Sequence, residues 1–382
     1  MEGARPLRIG ILGGGQLGRM LGLAGIPLGL RFRFLDPGGD GAPAAAVGSV
    51  VEGDYADPAA LDRFVRGLDL VTWEFENVPV ESARALARKV PVFPPPEALE
   101  AAQDRWVEKE TFRKLGIPVA PSRPVNTRED LEAAVDEVGL PAIVKTRRFG
   151  YDGKGQALLR SRADLDDAWE RMGGSPLILE GFVRFHRELS LLVARSRSGE
   201  TRSWPLTENV HRNGILRTSF APSAAPRASA LQAEAERYGA ALLDALGYVG
   251  VLAVEFFETD EGLVANEMAP RVHNSGHWTQ DGACTSQFEN HLRAILGLPL
   301  GSTGLRGGEG GGAAMVNFIG GLPTREQVLT GDPEVVTALH LYDKAPRPGR
   351  KVGHMNLWGT ARASVEGALG DGAHLADDVG EG

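Results

Sequence analysis

Side chains able to do chemistry concentrate at two places in this chain. At 143–156 it reads Ile-Val-Lys-Thr-Arg-Arg-Phe-Gly-Tyr-Asp-Gly-Lys-Gly-Gln, a β-branched strand carrying Lys145 that runs into a loop punctuated by Gly150, Gly153 and Gly155. A fixed cation beside backbone free to turn its N–H groups onto phosphate oxygens is what a nucleotide triphosphate clamp needs. The Gly-x4-Gly-Lys-Ser/Thr spacing of a P-loop is absent, and the lysine precedes the loop instead of ending it. A glycine-rich surface hairpin with an exposed lysine is the plainer alternative. The second place is Ala253-Val-Glu-Phe-Phe257, Thr259-Asp-Glu-Gly262 and Leu263-Val-Ala-Asn-Glu267. A three-residue loop of Asp260, Glu261 and Gly262, with Gly262 left-handed, pairs Thr259 with Leu263 and therefore Glu255 with Glu267. Facing carboxylates about 5 Å apart repel unless a cation lies between them. Magnesium shared with phosphate oxygens resolves that conflict, and Asn266 offers an amide oxygen beside it. A two-residue loop would instead turn Glu267 to the opposite face, and two solvated carboxylates on an exposed hairpin are the alternative to a metal site.

Weaker signals surround these. Gly13-x-Gly15-x-x-Gly18 follows an apolar strand, with Asp36 about twenty residues on, which meets the dinucleotide fingerprint and points to an NAD-type oxidoreductase. The same N–H groups at a helix start serve any anionic or ribosyl ligand. Lys344, Arg350 and Lys351 form a dense basic cluster suited to a phosphate monoester, although a solvated basic face explains it too. By residue type alone, Glu188 reads equally well as a surface carboxylate, His211 as a satisfied structural histidine and Asp152 as turn chemistry.

Alternating elements must position these groups. Strands are expected at 7–12, 32–35 and 68–73, with helices at 16–30 and 81–89. That order gives a small open α/β domain whose ligands lie beyond the strand ends, where Glu74 sits. Further on, helices are expected at 104–121, stopped by Gly116-Ile117-Pro118, and at 130–138, 164–172 and 231–246. Strands are expected at 142–146, 177–179, 190–194, 203–206 and 249–257. The stretch 304–312 has six glycines in nine positions and reads as a flexible loop, and the polar tail as a segment that frays.

At roughly 150 residues per domain, 382 residues make two or three domains. Fifty acidic against forty-one basic residues, a net charge of −9, argue against a nucleic-acid surface. The single Cys284 excludes an intrachain disulfide or a multi-cysteine zinc site and fits a reducing cytoplasm. With no run of about eighteen apolar residues and no signal-type start, the expected location is cytoplasmic, with no membrane partner.

In chain order, the Lys145 strand with its glycine loop, Glu180-Gly181-Phe182-Val183, Glu188, Glu208-Asn-Val-His211 and the Glu255/Asn266/Glu267 set resemble ATP-grasp carboxylate–amine ligases. Three longer stretches narrow this: Ile-Gly-Ile-Leu-Gly-Gly-Gly-Gln-Leu-Gly-Arg-Met at 9–20, Asn-Glu-Met-Ala-Pro-Arg-Val-His-Asn-Ser-Gly-His-Trp at 266–278, and Tyr342-Asp-Lys with Arg350-Lys-Val-Gly-His. They resemble the PurK-type N5-carboxyaminoimidazole ribonucleotide synthetase family over about residues 7–360. The resemblance implies an α/β and α+β multidomain ATP-grasp fold. It divides into a Rossmann-like domain (1–103), a small subdomain (104–187) with a lid loop at 147–156, a large subdomain (188–300) and a small β-rich C-terminal region (301–382). It implies ATP- and bicarbonate-dependent carboxylation of 5-aminoimidazole ribonucleotide by a homodimer using magnesium.

Residue by residue, the resemblance puts Arg105 and Lys145 on the phosphates and makes Gly150, Tyr151, Asp152, Gly153, Lys154, Gly155 and Gln156 the lid. Adenine lies against 177–179 and the backbone of Glu180, Gly181, Phe182 and Val183, with Glu188 on the ribose and His211 and Asn266 near the nucleotide. Glu255 and Glu267 hold the metal. Gly15, Gln16, Leu17, Glu74, Asn274, Ser275, Lys344, Arg350 and Lys351 bind the ribonucleotide. Tyr151 takes bicarbonate, Asp152 the acceptor amine, and Arg271, His273 and Lys351 place the carboxylate. The competing readings are a formate-dependent glycinamide ribonucleotide transformylase, the NAD-type oxidoreductase and a catalytically silent nucleotide-binding regulator.

Overall fold

The structure, a computed structural model, describes residues 5–150, 155–324, 328, 332–372 and 375. Among these residues three sheets carry the fold. The first is parallel, with strands β1 (Arg8–Leu12), β2 (Arg31–Asp36), β3 (Ser49–Glu52) and β4 (Leu70–Trp73) in the order β3-β2-β1-β4. Helices α1 (Gln16–Gly25), α2 (Pro58–Val65) and α3 (Val80–Ala87) accompany these strands. β4 is buried along its whole length, as expected of a parallel strand covered on both faces. The helix expected over 16–30 stops at Gly25 and tightens into a 3-10 turn, Ile26–Leu28, closed by Gly29 at φ 75°. Pro27 has no N–H with which to continue the helix. β3, α2 and α4 (Pro96–Gln103) were not expected.

The second sheet is antiparallel: β5 (Ser122–Val125), β6 (Ala142–Thr146), β7 (Gln156–Leu159) and β8 (Leu177–Gly181), ordered β5-β8-β6-β7. Around it run α5 (Arg105–Lys114), capped by Asp104, α6 (Arg128–Val138), with a Thr127/Asp130 capping box, and α7 (Leu165–Met172).

The third sheet contains β9 (Arg187–Arg195), β10 (Thr201–Ser203), β11 (Thr207–Arg212), β12 (Ile215–Ala221), β13 (Gly250–Thr259), β14 (Gly262–Ala269), β15 (Gly312–Ile319), β16 (Val335–Leu341) and β17 (Lys351–Gly359). Its order is β14-β13-β9-β11-β12-β15-β17-β16, with β10 on β9. Helices α8 (Ala228–Ala245), α9 (Thr279–Gly282), α10 (Gln287–Leu296) and α11 (Arg362–Gly372) complete the described elements. Two expectations fail here and one element was not expected. Of the strand at 203–206 only Ser203 is extended in a ladder, while Trp204 is fully buried with its indole N–H on the Thr285 carbonyl. The β11–β12 hairpin was missed, although Asn213-Gly214, at φ 53° and 73°, is a strong two-residue turn signal. The glycine stretch at 304–312 is tied down: a Cβ on Gly307 would lie 2.2 Å from the Gly359 carbonyl, and Gly312 already belongs to β15. No helix among the described residues is long and apolar enough to cross a membrane.

Candidate functional site

The acidic hairpin reaches its expected pairing by an unexpected route. β13 and β14 join through a two-residue loop, with Thr259 opposite Gly262. Counting on from that pair would set Glu255 against Asn266 and turn Glu267 to the other face. A β-bulge between Glu255 and Phe256 intervenes: Phe256 faces Ala265, Glu255 faces Glu267, and Asn266 is the extra residue. Burial and the charge of Glu267 push the Glu255 carboxyl up to about 7. Glu267 goes the other way. Burial opposes its charge, but the Arg105 guanidinium, donating to Oε2 at 2.7 Å, holds it at about 2. Asn266 Oδ1 is buried and has no hydrogen-bond partner. Among the described residues no group of three or more His, Cys, Asp or Glu side chains is placed to hold a metal ion. Two carboxylates and an unspent amide oxygen are thus an incomplete cage. That donor set fits magnesium, which takes its remaining ligands from phosphates and water.

The hairpin borders a cleft of about 580 Å³ lined by the second and third sheets and by the start of α1 and the loop after β4, with Gln16, Lys145, His211, Glu267, Arg271 and Lys351 among its walls. On β6, Lys145 donates to Glu180 Oε2 at 2.9 Å, and the fully buried Lys109 ammonium lies 3.6 Å from the same atom. Against burial, these two lysines hold the Glu180 carboxyl at about 2. A recess beside Lys145 is bounded by Ile143, Glu180, Gly181, Phe182, Val183 and Phe257, and Phe185 stacks on Phe257 at 4.7 Å. Gly150 and Gln156 border the cleft, and Gly155 turns the chain at φ 71°. Tyr151, Asp152, Gly153 and Lys154 lie outside the described residues. Glu188 on β9 and His211 on β11 pair through Nδ1. Burial works to lower the His211 pKa, but Glu188, Glu255 and Glu267 raise it.

At the other end of the cleft the glycine turn is already filled. Glu74 accepts from the backbone N–H of Gly15 and of Gly18, while Asp36 takes the N–H of Gly14 at 2.8 Å. A Cβ on Gly13 would come within 2.4 Å of Glu74 Cγ. The glycines therefore admit a carboxylate of this chain where a dinucleotide would put its pyrophosphate, which removes the basis of the NAD reading. The Lys344 ammonium donates to Gln16, and burial, with Arg350, Lys351 and Arg347 nearby, brings its pKa down to about 8. Leu17 lines the cleft, and Arg350 donates to the Ala345 carbonyl.

Arg271 pairs with Glu76. Burial and the Arg271 charge push His273 down to about 3, so its ring is neutral. The Ser275 N–H donates to His273 Nδ1 at 3.4 Å, which leaves the ring hydrogen on Nε2, 3.8 Å from Glu255. Ser275 itself is wholly buried, and its hydroxyl accepts from Ser190 at 2.8 Å. It braces the His273 loop and does not reach the cleft, contrary to expectation. Both polar atoms of the Asn274 amide are buried and unpartnered. Sequence reasoning missed Glu108 and Lys109, whose signal was their spacing, i+3 and i+4, from Arg105 on one helix.

Residues 7–103 match a ribonucleotide synthetase preATP-grasp domain, 110–288 an ATP-grasp domain and 313–367 a phosphoribosylaminoimidazole carboxylase C-terminal domain. The chain is 52% identical to the N5-carboxyaminoimidazole ribonucleotide synthase of Pseudomonas aeruginosa, over 96% of this chain and 98% of that one. The crystal structure of the synthetase of that name from Thermus thermophilus superimposes with a TM-score of 0.90 at 54% identity, covering 98% of this chain and all of its own. The Aspergillus clavatus synthase, crystallised with ADP and 5-aminoimidazole ribonucleotide, gives a TM-score of 0.88 at 30% identity, over 98% of this chain and 99% of its own. The cleft with its two carboxylates, the Lys145 strand and near full-length identity all lead to one assignment: the chain belongs to the N5-carboxyaminoimidazole ribonucleotide synthase family of ATP-grasp ligases.

Proposed function

We propose that the chain carboxylates the amine of 5-aminoimidazole ribonucleotide with bicarbonate, at the cost of ATP, in the cytoplasm and as a homodimer. The observation carrying this reading is that Glu255, Glu267 and the unspent Asn266 oxygen share one cleft with Lys145 and, at its far end, with Gln16 and Lys351. In the first step a bicarbonate oxygen attacks the γ-phosphorus and the bond to the ADP oxygen breaks, giving carboxyphosphate. The amine nitrogen then bonds to the carboxyl carbon, phosphate leaves with the C–O electrons, and the nitrogen loses a proton.

Lys145 and Arg105 are placed to neutralise phosphate charge that builds up in transfer. The recess at Phe182 and Val183 takes the base, and Glu188 the ribose. Magnesium, held by Glu255, Glu267 and Asn266, would supply further neutralisation of the phosphates. A neutral His273 presents Nε2–H as a donor to the carboxylate carbon's oxygens, next to the Arg271 cation, and Asn274 offers both polar atoms. Lys344, Arg350 and Lys351 take the monoester phosphate beside Gln16 and Leu17. Tyr151 for bicarbonate and Asp152 for the acceptor amine rest on family resemblance. The test is ADP release with each substrate left out in turn. Turnover should require ATP, bicarbonate and the ribonucleotide together; equal rates without bicarbonate, or with formate in its place, overturn the reading.

A further inference from the structure

β14 is the outer strand of its sheet, so one side of its backbone has no ladder partner there. At the bulge that side is taken up by side chains of α5. The Lys109 ammonium donates to the Asn266 carbonyl and, at 3.5 Å, to that of Ala265. Glu108 Oε1 accepts the Met268 N–H at 2.6 Å. Immediately before, the Ala265 N–H donates to the Pro118 carbonyl at 2.7 Å. The two α5 side chains therefore grip the backbone on both flanks of Glu267, while one turn earlier Arg105 grips its carboxylate. Lys109 and Glu108 are themselves almost fully buried, and Lys109 is further anchored by Glu180 at 3.6 Å.

The bulge they hold matters because the hairpin loop alone specifies the wrong face. Without the extra residue, Glu267 would oppose Val254, whose side chain belongs to the apolar core under α8, and Asn266 would face Glu255 in its place. We infer that Glu108 and Lys109, though they border the cleft and the base recess, are positioning residues that orient Glu267 and Asn266 toward the metal by fixing the β14 bulge. The inference rests on the reading of Glu255 and Glu267 as magnesium ligands.

The test is the gain in ADP affinity that magnesium brings, measured by titration calorimetry in excess magnesium and in EDTA. Lys109→Met should cut that gain by about 10–100-fold, the scale of losing support behind a metal ligand. Lys109 also borders the base recess, whereas Glu108 lines the wider cleft but not that recess, so Glu108→Leu should give the same loss with EDTA affinity unchanged. Glu108→Gln, which keeps an acceptor for the Met268 N–H, should restore the gain. Equal losses in EDTA and in magnesium for Glu108→Leu, or an unchanged gain, overturn the inference. If Lys109→Met does not fold, the Glu108 pair decides. Glu267→Gln separates the two layers: if it abolishes the magnesium gain and Glu108→Leu does not, the positioning role fails; if it leaves the gain intact, the metal reading fails first.

Discussion

At the glycine turn before α1, Glu74 and Asp36 spend their oxygens on backbone N–H groups of Gly14, Gly15 and Gly18. At the β13–β14 hairpin, Glu255 and Glu267 face one another, Arg105 satisfies only the second, and the oxygen of the neighbouring Asn266 is unspent. Both are acidic groups at a sharp turn of the chain, and residue type alone does not separate them. What separates them is whether hydrogen-bond capacity is used up inside the protein. The first pair closes off a helix start that a foreign anion would otherwise enter. The second leaves negative charge and an unspent lone pair that a bound cation would balance.

The contrast breaks most visibly at Glu267. Glu267→Gln should lower ADP-forming turnover by about 10³-fold while leaving the fold intact, as expected for a group stabilising phosphoryl transfer. Steady-state rates with circular dichroism check this, and wild-type turnover would make the hairpin as inert as the glycine turn. Glu74→Gln should act on stability instead. Its amide has one acceptor oxygen where the carboxylate had two, so one of the two N–H groups loses its partner at about 1–3 kcal/mol. Urea unfolding measures that loss, and a changed magnesium dependence would erase the distinction between the sites.

A smaller effect sharpens the ribonucleotide end. Burial has brought Lys344 down to about 8. Its cation is present below that pH and lost as pH rises through it, so the KM for the ribonucleotide should climb about tenfold by one unit above that pKa if the charge is what binds phosphate. A bound phosphate dianion stabilises the cation and moves the limb upward in saturated enzyme. Lys344→Arg, charged throughout, should flatten the profile.

Much of this was legible in the chain because it is written locally. The 142–146 strand and the Asp104 helix start follow from short-range rules, while α6 begins at Arg128 behind its Thr127 cap, two residues before the expected start at 130. The hairpin shows where such rules stop. The spacing of Glu255 and Glu267 suggested a facing pair, but through a three-residue loop; the molecule uses a two-residue loop and a bulge. That bulge depends on Lys109 and Glu108, about 160 positions earlier, which no local pattern connects to it. The filled glycine turn was unreadable for the same reason: Glu74 comes from another strand, and its place under Gly15 is a fact of sheet order. The missed β11–β12 hairpin is a different failure, since Asn213-Gly214 was in view.

Three family segments describe the chain, yet β12, from the second, pairs over Thr218–Ala221 with β15, from the third, and β17 and β16 follow in the same sheet. A cut after residue 300 would strip β12 of a neighbour and expose Ala313 and Met315, which pack in one core with Leu216, Trp278 and Ala283. Units of inheritance and units of folding thus differ here. The C-terminal segment can be exchanged among relatives only with the strand edge it was born against, and two separately expressed halves would regain activity only by rebuilding that seam.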